Sequence, residues 1–226
     1  MELFYDGYDV EKHASASHIT GFTTNCSIIA SSPTPSYTEL YARIRPYIGD
    51  KCFSLQIWKD NPTEAIQQVD SICAIDSRIF VKIPVVNTSG VFNDIVIQYC
   101  VSKSIPMNLT AIHTIEQIDM CRQLLSPNSV AIVSVFAGPI SDKGIDPNIY
   151  IQHAKRAFAD CPHVRILWAG CREIYTIERA RQAGADIITI PDAVIDRMKD
   201  MNKSLETITL ERVRKFFRDA ESCVKI

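Results

Sequence analysis

The chain has 226 residues, 46% of them hydrophobic and 22% charged, with a formal net charge of −2 at pH 7. That length suits one large domain, here residues 1–226, and so small a charge leaves no electrostatic footprint for nucleic acid or an anionic membrane. The start, MELFYDGYDV, lacks the basic and apolar regions of a secretory leader. No run approaches the ~20 apolar residues of a membrane span, so a cytoplasmic protein is expected.

Eight cysteines invite a disulfide reading, but Cys52, Cys73, Cys100 and Cys121 fall inside apolar periodic segments and no C-x-x-C pair occurs. They read as small buried hydrophobes of a reducing compartment. His13, His18, His113, His153 and His163 show no metal-ligand spacing, so no metal is expected.

Strand-like and helix-like runs alternate along the chain. Glu2–Asp6 reads as a strand, 10–17 as a helix, 19–24 as a strand and 36–48 as a helix. Strand 52–58 precedes a helix after Asn61, where Pro62 suits the first turn and Glu64 its dipole. FVKIPVV (80–86) precedes a helix over 91–104, and MNLTAI (107–112) one over 114–125, where Thr114 and Gln117 have capping-box spacing. Strand 129–136 leads to helix 148–160. Strand 164–170 leads to helix 173–185, which should stop at Gly184. Strand 186–190 leads to helix 193–201, and an amphipathic helix over about 210–222 closes the chain.

Eight βα units in a row imply parallel strands buried on both faces. In roughly 200 residues this is the arithmetic of an α/β fold, a (β/α)8 TIM barrel with an additional C-terminal helix. A doubly wound open sheet usually carries a Gly-rich first turn, but Gly7 stands alone here and no G-x-G-x-x-G occurs.

Catalytic groups of such barrels sit at the C-terminal ends of the strands. In chain order these ends offer Asp6, Thr24 and Asn25, Gln56, Lys82, Asn108 and Thr110, Ser134 and Phe136, and Arg172 just beyond Trp168. Phe80, Lys82 and Pro84 share one face of their strand. If Val81, Ile83 and Val85 face the helices, Lys82 points into the barrel mouth. The plainer alternative buries the lysine stem and lets its head reach water or pair with Asp6. Yet lysine is rarely buried without a partner or a purpose, and burial favours the neutral amine that attacks a carbonyl. Asp6 is the natural proton shuttle, with Gln56 and Thr110 available to hold a water.

The stretches GFTTNCSIIA, FVKIPV, NLTAIHTIEQ, SVFAGPISDKG, WAGCRE and QAGADIITIP resemble the transaldolase family, in order and over nearly the whole chain. The likeness is strongest to its short-chain branch, which includes fructose-6-phosphate aldolase. It implies that Lys82 is the Schiff-base lysine and Asp6 its acid/base partner. It further implies that Thr24 and Asn25 contact donor hydroxyls, and that Gln56 and Thr110 hold the catalytic water. Asn108, Ser134, Phe136, Trp168 and Arg172 complete the expected substrate-binding set. The implied reaction needs no cofactor or metal: a dihydroxyacetone unit passes from a ketose or its phosphate to an aldehyde. Simple aldol cleavage is the alternative, and a non-catalytic sugar-binding barrel a remoter one. In short-chain relatives the terminal helix reaches a neighbouring subunit, which implies a homo-oligomer. The plain reading packs its Val213, Phe216 and Phe217 stripe on its own barrel.

The chain departs from the family at informative places. Gln56 matches the aldolase branch, where transaldolases carry Glu, whereas Phe136 matches transaldolases, where the aldolase branch carries Tyr. Neither side chain exchanges a proton at neutral pH, which favours transfer over hydrolysis. The family motif would put Arg at position 139, which is Pro139, and Ser at position 170, which is Gly170. A phosphate would be gripped more weakly, or by other groups such as Lys143.

Overall fold

The computed structural model describes residues 1–33 and 35–223. Strand β1 (Glu2–Asp6) is followed by α1 (Val10–Ala14), β2 (Ile19–Thr23), the short α2 (Cys26–Ala30) and α3 (Tyr37–Ile48). Then come β3 (Cys52–Gln56), α4 (Pro62–Ile75), β4 (Phe80–Pro84) and α5 (Asp94–Ser102). The second half runs β5 (Met107–Ile112), α6 (Ile115–Leu124), β6 (Ala131–Val135), the short α7 (Ala137–Ser141) and α8 (Asn148–Ala157). It ends with β7 (Val164–Trp168), α9 (Tyr175–Ala183), β8 (Ile187–Ile190), α10 (Asp192–Met198) and α11 (Leu205–Cys223). The eight strands pair in sequence order, all parallel, and β8 closes on β1. This is the expected (β/α)8 barrel.

Local chemistry sets the helix ends. Asn61 accepts from the amides of Thr63 and Glu64, with Pro62 in the first turn, and starts α4. Gly184, at φ 86°, ends α9 in the left-handed conformation that favours glycine. The Thr114–Gln117 capping box forms at the start of α6. Thr114→Ala should cost about 1 kcal/mol and lower Tm by about 2–4 °C in a thermal melt; an unchanged Tm would deny the box any role.

Two apolar layers surround the sheet. Inside the barrel, Phe4, Ile132, Leu167 and Ile187 fill the waist. Gly21 is required beside them, since a Cβ there would lie 2.5 Å from the Phe4 ring. Below the waist, Arg165 pairs with Glu2 at 2.8 Å and lies over Phe4. The opposite strand faces, including Val81, Ile83, Val85, Leu109 and Val133, pack with the helices in the outer layer. The barrel interior is therefore plugged at its waist, and Asp6, Lys82 and Ser134 lie above the plug, at the upper mouth.

Three features differ from the sequence reading. Helices α2 and α7 span 5 residues each, too short for an apolar period to register. Helix α11 begins at Leu205 rather than near Leu210, because the Ser204 hydroxyl accepts from the Thr207 amide and caps it earlier. Nor does α11 pack on its own barrel: none of its residues is buried, and Leu205, Val213, Phe216 and Phe217 are all exposed. Among the described residues, no helix is long and apolar enough to cross a membrane.

Candidate active site

The mouth of the barrel is built by the period of two along each strand. Asp6 follows Phe4 on the inner face of β1, Lys82 follows Phe80 on β4, and Ser134 follows Ile132 on β6. Register sets Lys82 beside Gln56 on one side and Asn108 on the other, with Pro84 opposite Thr110. Asp6, Asn25, Lys82, Asn108, Thr110, Ser134, Phe136 and Arg172 line one cavity of about 240 Å3. Eight of the eleven residues named from the sequence thus meet in one place.

Lys82 is 7% exposed, and its Nζ donates to the Thr24 carbonyl at 3.0 Å. Burial pushes its ammonium below the ordinary lysine pKa, while the neighbouring Asp6 and Cys26 side chains pull the other way. Desolvation therefore wins. Asp6 is held by the Thr23 hydroxyl, which donates to its Oδ1 at 2.7 Å. A buried relay runs across the floor: Ser134 Oγ donates to Asn108 Oδ1 at 2.7 Å, and Asn108 Nδ2 donates to Ser54 Oγ at 3.2 Å. Asn25 spends its Oδ1 on the Ile28 amide at 2.9 Å, capping α2 and fixing the side chain at the rim.

Thr110 Oγ1 is buried and has no hydrogen-bond partner among the described residues. The next residue, Ala111, has φ 61°, and the β5–β6 register shifts between Leu109 and Ile112. This bulge bends the strand end at the cavity wall. A buried hydroxyl left unpaired is costly unless something from the cavity satisfies it.

Three expected residues do not line this cavity. Thr24 follows β2 directly, with parity opposite to Thr23; it is fully buried, with its hydroxyl on the Ser54 carbonyl at 2.9 Å. It touches the site only through its own carbonyl, on Lys82, and the inward threonine is Thr23. Gln56 lines an adjoining cavity of about 270 Å3 with Trp58, Pro84 and Asn93. Trp168 has the opposite strand parity to Leu167, so its ring faces the helices. Trp58 is exposed beside Tyr37, with ring centroids 5.6 Å apart. The sequence reading missed Thr23 and Thr189, both in the cavity wall; their parity with Gly21 and Ile187 was the available signal.

The positions of the motif departures lie at one side of the mouth. Pro139 stands in the cavity wall where the family has arginine, whereas Lys143 is exposed and outside that wall. Arg172 is at the rim, with its Nη2 2.5 Å from Asp142 Oδ2. Gly170 has φ 81°, a conformation that disfavours the serine of the family motif.

The model of the family described as transaldolase/fructose-6-phosphate aldolase matches residues 3–225. A probable transaldolase of Nitrosopumilus maritimus is 27% identical, covering 98% of this chain and 95% of its own. One of Myxococcus xanthus is 25% identical over 100% of this chain and 96% of its own. Among solved structures, an HpcH/HpaI aldolase from Desulfitobacterium hafniense superposes with a TM-score of 0.55 at 16% identity. That alignment covers 95% of this chain and 91% of the aldolase, and shows the fold alone. With a family match that runs almost from end to end over this barrel, the chain belongs to the transaldolase/fructose-6-phosphate aldolase family and is an enzyme of the transaldolase–aldolase type.

Proposed function

We propose that the protein is a Schiff-base transaldolase that moves a dihydroxyacetone unit from a ketose phosphate to an aldehyde through Lys82. The observation that carries this is a lysine buried in the barrel mouth, its charge disfavoured by desolvation, beside a carboxylate held in place. Lys82 Nζ attacks the C2 carbonyl, and loss of water leaves an iminium. The Asp6 carboxylate takes the proton from the C4 hydroxyl, and the C3–C4 bond breaks. Its electron pair moves into the iminium to form an enamine, and the aldehyde departs. An acceptor aldehyde then adds to the enamine carbon, and the steps reverse. The iminium is the electron sink, so this sequence needs no metal.

Transfer is favoured over simple cleavage because the cavity wall offers Phe136 and no second carboxylate besides Asp6. Cleavage requires protonation of the enamine and hydrolysis of the imine by water, and beside Asp6 the described wall offers that water neutral hydroxyls and amides such as Thr110 and Asn108. Thr110→Val keeps the shape and removes the unpaired hydroxyl. It should slow turnover about 10–100-fold with little change in Tm. Wild-type turnover in that variant would remove Thr110 from the scheme.

Borohydride trapping tests the whole reading. Fructose 6-phosphate, and separately fructose or dihydroxyacetone, should leave a reduced adduct on Lys82 in the intact-protein mass. No adduct with any of the three from folded protein would reject it. Release of glyceraldehyde 3-phosphate without an acceptor, at the rate seen with one, would favour the aldolase. The exposed apolar stripe of α11 also supports a homo-oligomer, and a monomer mass by light scattering would refute that.

A further inference from the structure

A second, smaller cleft of about 170 Å3 lies beside the mouth, between α7 and the start of α9. Gly170 and Arg172 stand in the walls of both cavities, so the two adjoin at Arg172. The walls of this cleft also carry Arg179, from α9, and Trp168, from the end of β7.

Trp168 is 1% exposed, and its Nε1–H is buried with no acceptor among the described residues. An indole nitrogen can only donate, so this group calls for an oxygen that the described residues do not supply. The Arg179 guanidinium lies over the Trp168 ring, 5.7 Å from its centroid, and gives its Nη2 to Asp146 Oδ1 at 3.3 Å. Arg172 is engaged through its own Nη2, to Asp142. Each guanidinium carries five N–H donors, so both keep donors beyond those already committed.

We propose that the phosphomonoester of the sugar substrate seats in this cleft, gripped by Arg172, Arg179 and the Trp168 indole N–H. Arg179 thereby takes over the role that Pro139 cannot fill. The inference rests on the proposed function for the identity of the sugar. It requires one subsite for both half-reactions: the phosphate of the ketose leaves on the departing aldehyde, and that of the acceptor aldehyde takes its place. Two arginines on one phosphate give forked, charge-assisted hydrogen bonds. Asp142 and Glu173, also in the wall, oppose an anion. The Asp142–Arg172 pair, however, is half-exposed on both sides and hence weak, so a phosphate dianion displaces it.

The test is calorimetric titration of the full-length protein with inorganic phosphate, with no ketose present. Arg179→Gln should weaken binding about 10–100-fold, and Trp168→Phe by roughly 5–10-fold. Asp142→Asn should tighten it several-fold, a direction that damage to the fold does not produce. The ratio of kcat/KM for fructose 6-phosphate to that for fructose should fall in Arg179→Gln by the same factor as phosphate affinity. Unchanged phosphate affinity in both Arg179→Gln and Asp142→Asn overturns the proposal, as does no uptake of phosphate by wild type at tens of millimolar. Trapping on Lys82 with no phosphate response at Arg179 would sink the cleft alone. A phosphate response at Arg179 with no trapping would uphold the anion site and sink the Schiff-base reading alone.

Discussion

Lys82→Ala should abolish turnover, with a loss of ~10⁵-fold or more in kcat, and should erase the borohydride adduct. The size follows from its role: with the amine gone there is no covalent electron sink, and C3–C4 cleavage would have to expel an unstabilised carbanion. Retention of even a hundredth of wild-type turnover would show that the lysine is not the nucleophile. The same residue carries a stability signature of opposite sign. Its pKa is depressed by burial, so between the folded value and the ordinary lysine value the unfolded chain binds more protons than the native one. Lys82 therefore destabilises the fold most below its folded pKa, and the penalty fades as pH rises towards about 10.4. Lys82→Met should be inactive yet melt higher at neutral pH than wild type. The gain should shrink at alkaline pH. A lower Tm for Lys82→Met at pH 7 would mean that the stem packing of Lys82 outweighs its desolvation.

Asp6→Asn should lower kcat by ~10²–10⁴-fold, the usual range for removing a general acid–base group. The amide keeps the shape and still accepts from the Thr23 hydroxyl, so the wall of the cavity should survive. What it cannot do is take the C4 hydroxyl proton. Two further readouts separate this from general damage. Dihydroxyacetone should still be trapped on Lys82, because imine formation precedes C–C cleavage. The pH midpoint of trapping should also move down, since Asp6 pulls the Lys82 pKa upwards and its removal leaves desolvation less opposed. A midpoint that moves up, or turnover within tenfold of wild type, would place the proton transfer on another group.

The strand ends show where legibility stopped. Lys82, Asp6, Asn108 and Ser134 were readable because each sits inside a regular strand, where alternation of side chains is obligatory and the apolar neighbours betray which face is outward. Thr24 was misplaced by one residue because the parity with Gly21, which turns Thr23 inward and Thr24 outward, was not used. Trp168 obeys that period but was named from its place near Arg172, and the parity with Leu167 was not used. Gln56 has the correct parity and register beside Lys82, yet it opens onto a neighbouring cavity; how one space divides from another depends on the loops that cover it, which carry no periodic signal. The bulge at Ala111 is similar, because a positive φ at a non-glycine residue arises from pairing with β6 and leaves no trace in composition.

Local chemistry therefore determined the elements of this protein, their order, the barrel that eight consecutive βα units must close, and the lysine inside it. Each of these depends on interactions within a few residues or on the geometry of a single strand. The tertiary structure decided the rest. It brought Arg172, Arg179 and a buried indole to the wall of one cleft and left the apolar face of α11 uncovered. Those outcomes depend on how distant segments pack against one another, and spacing along the chain does not encode that directly.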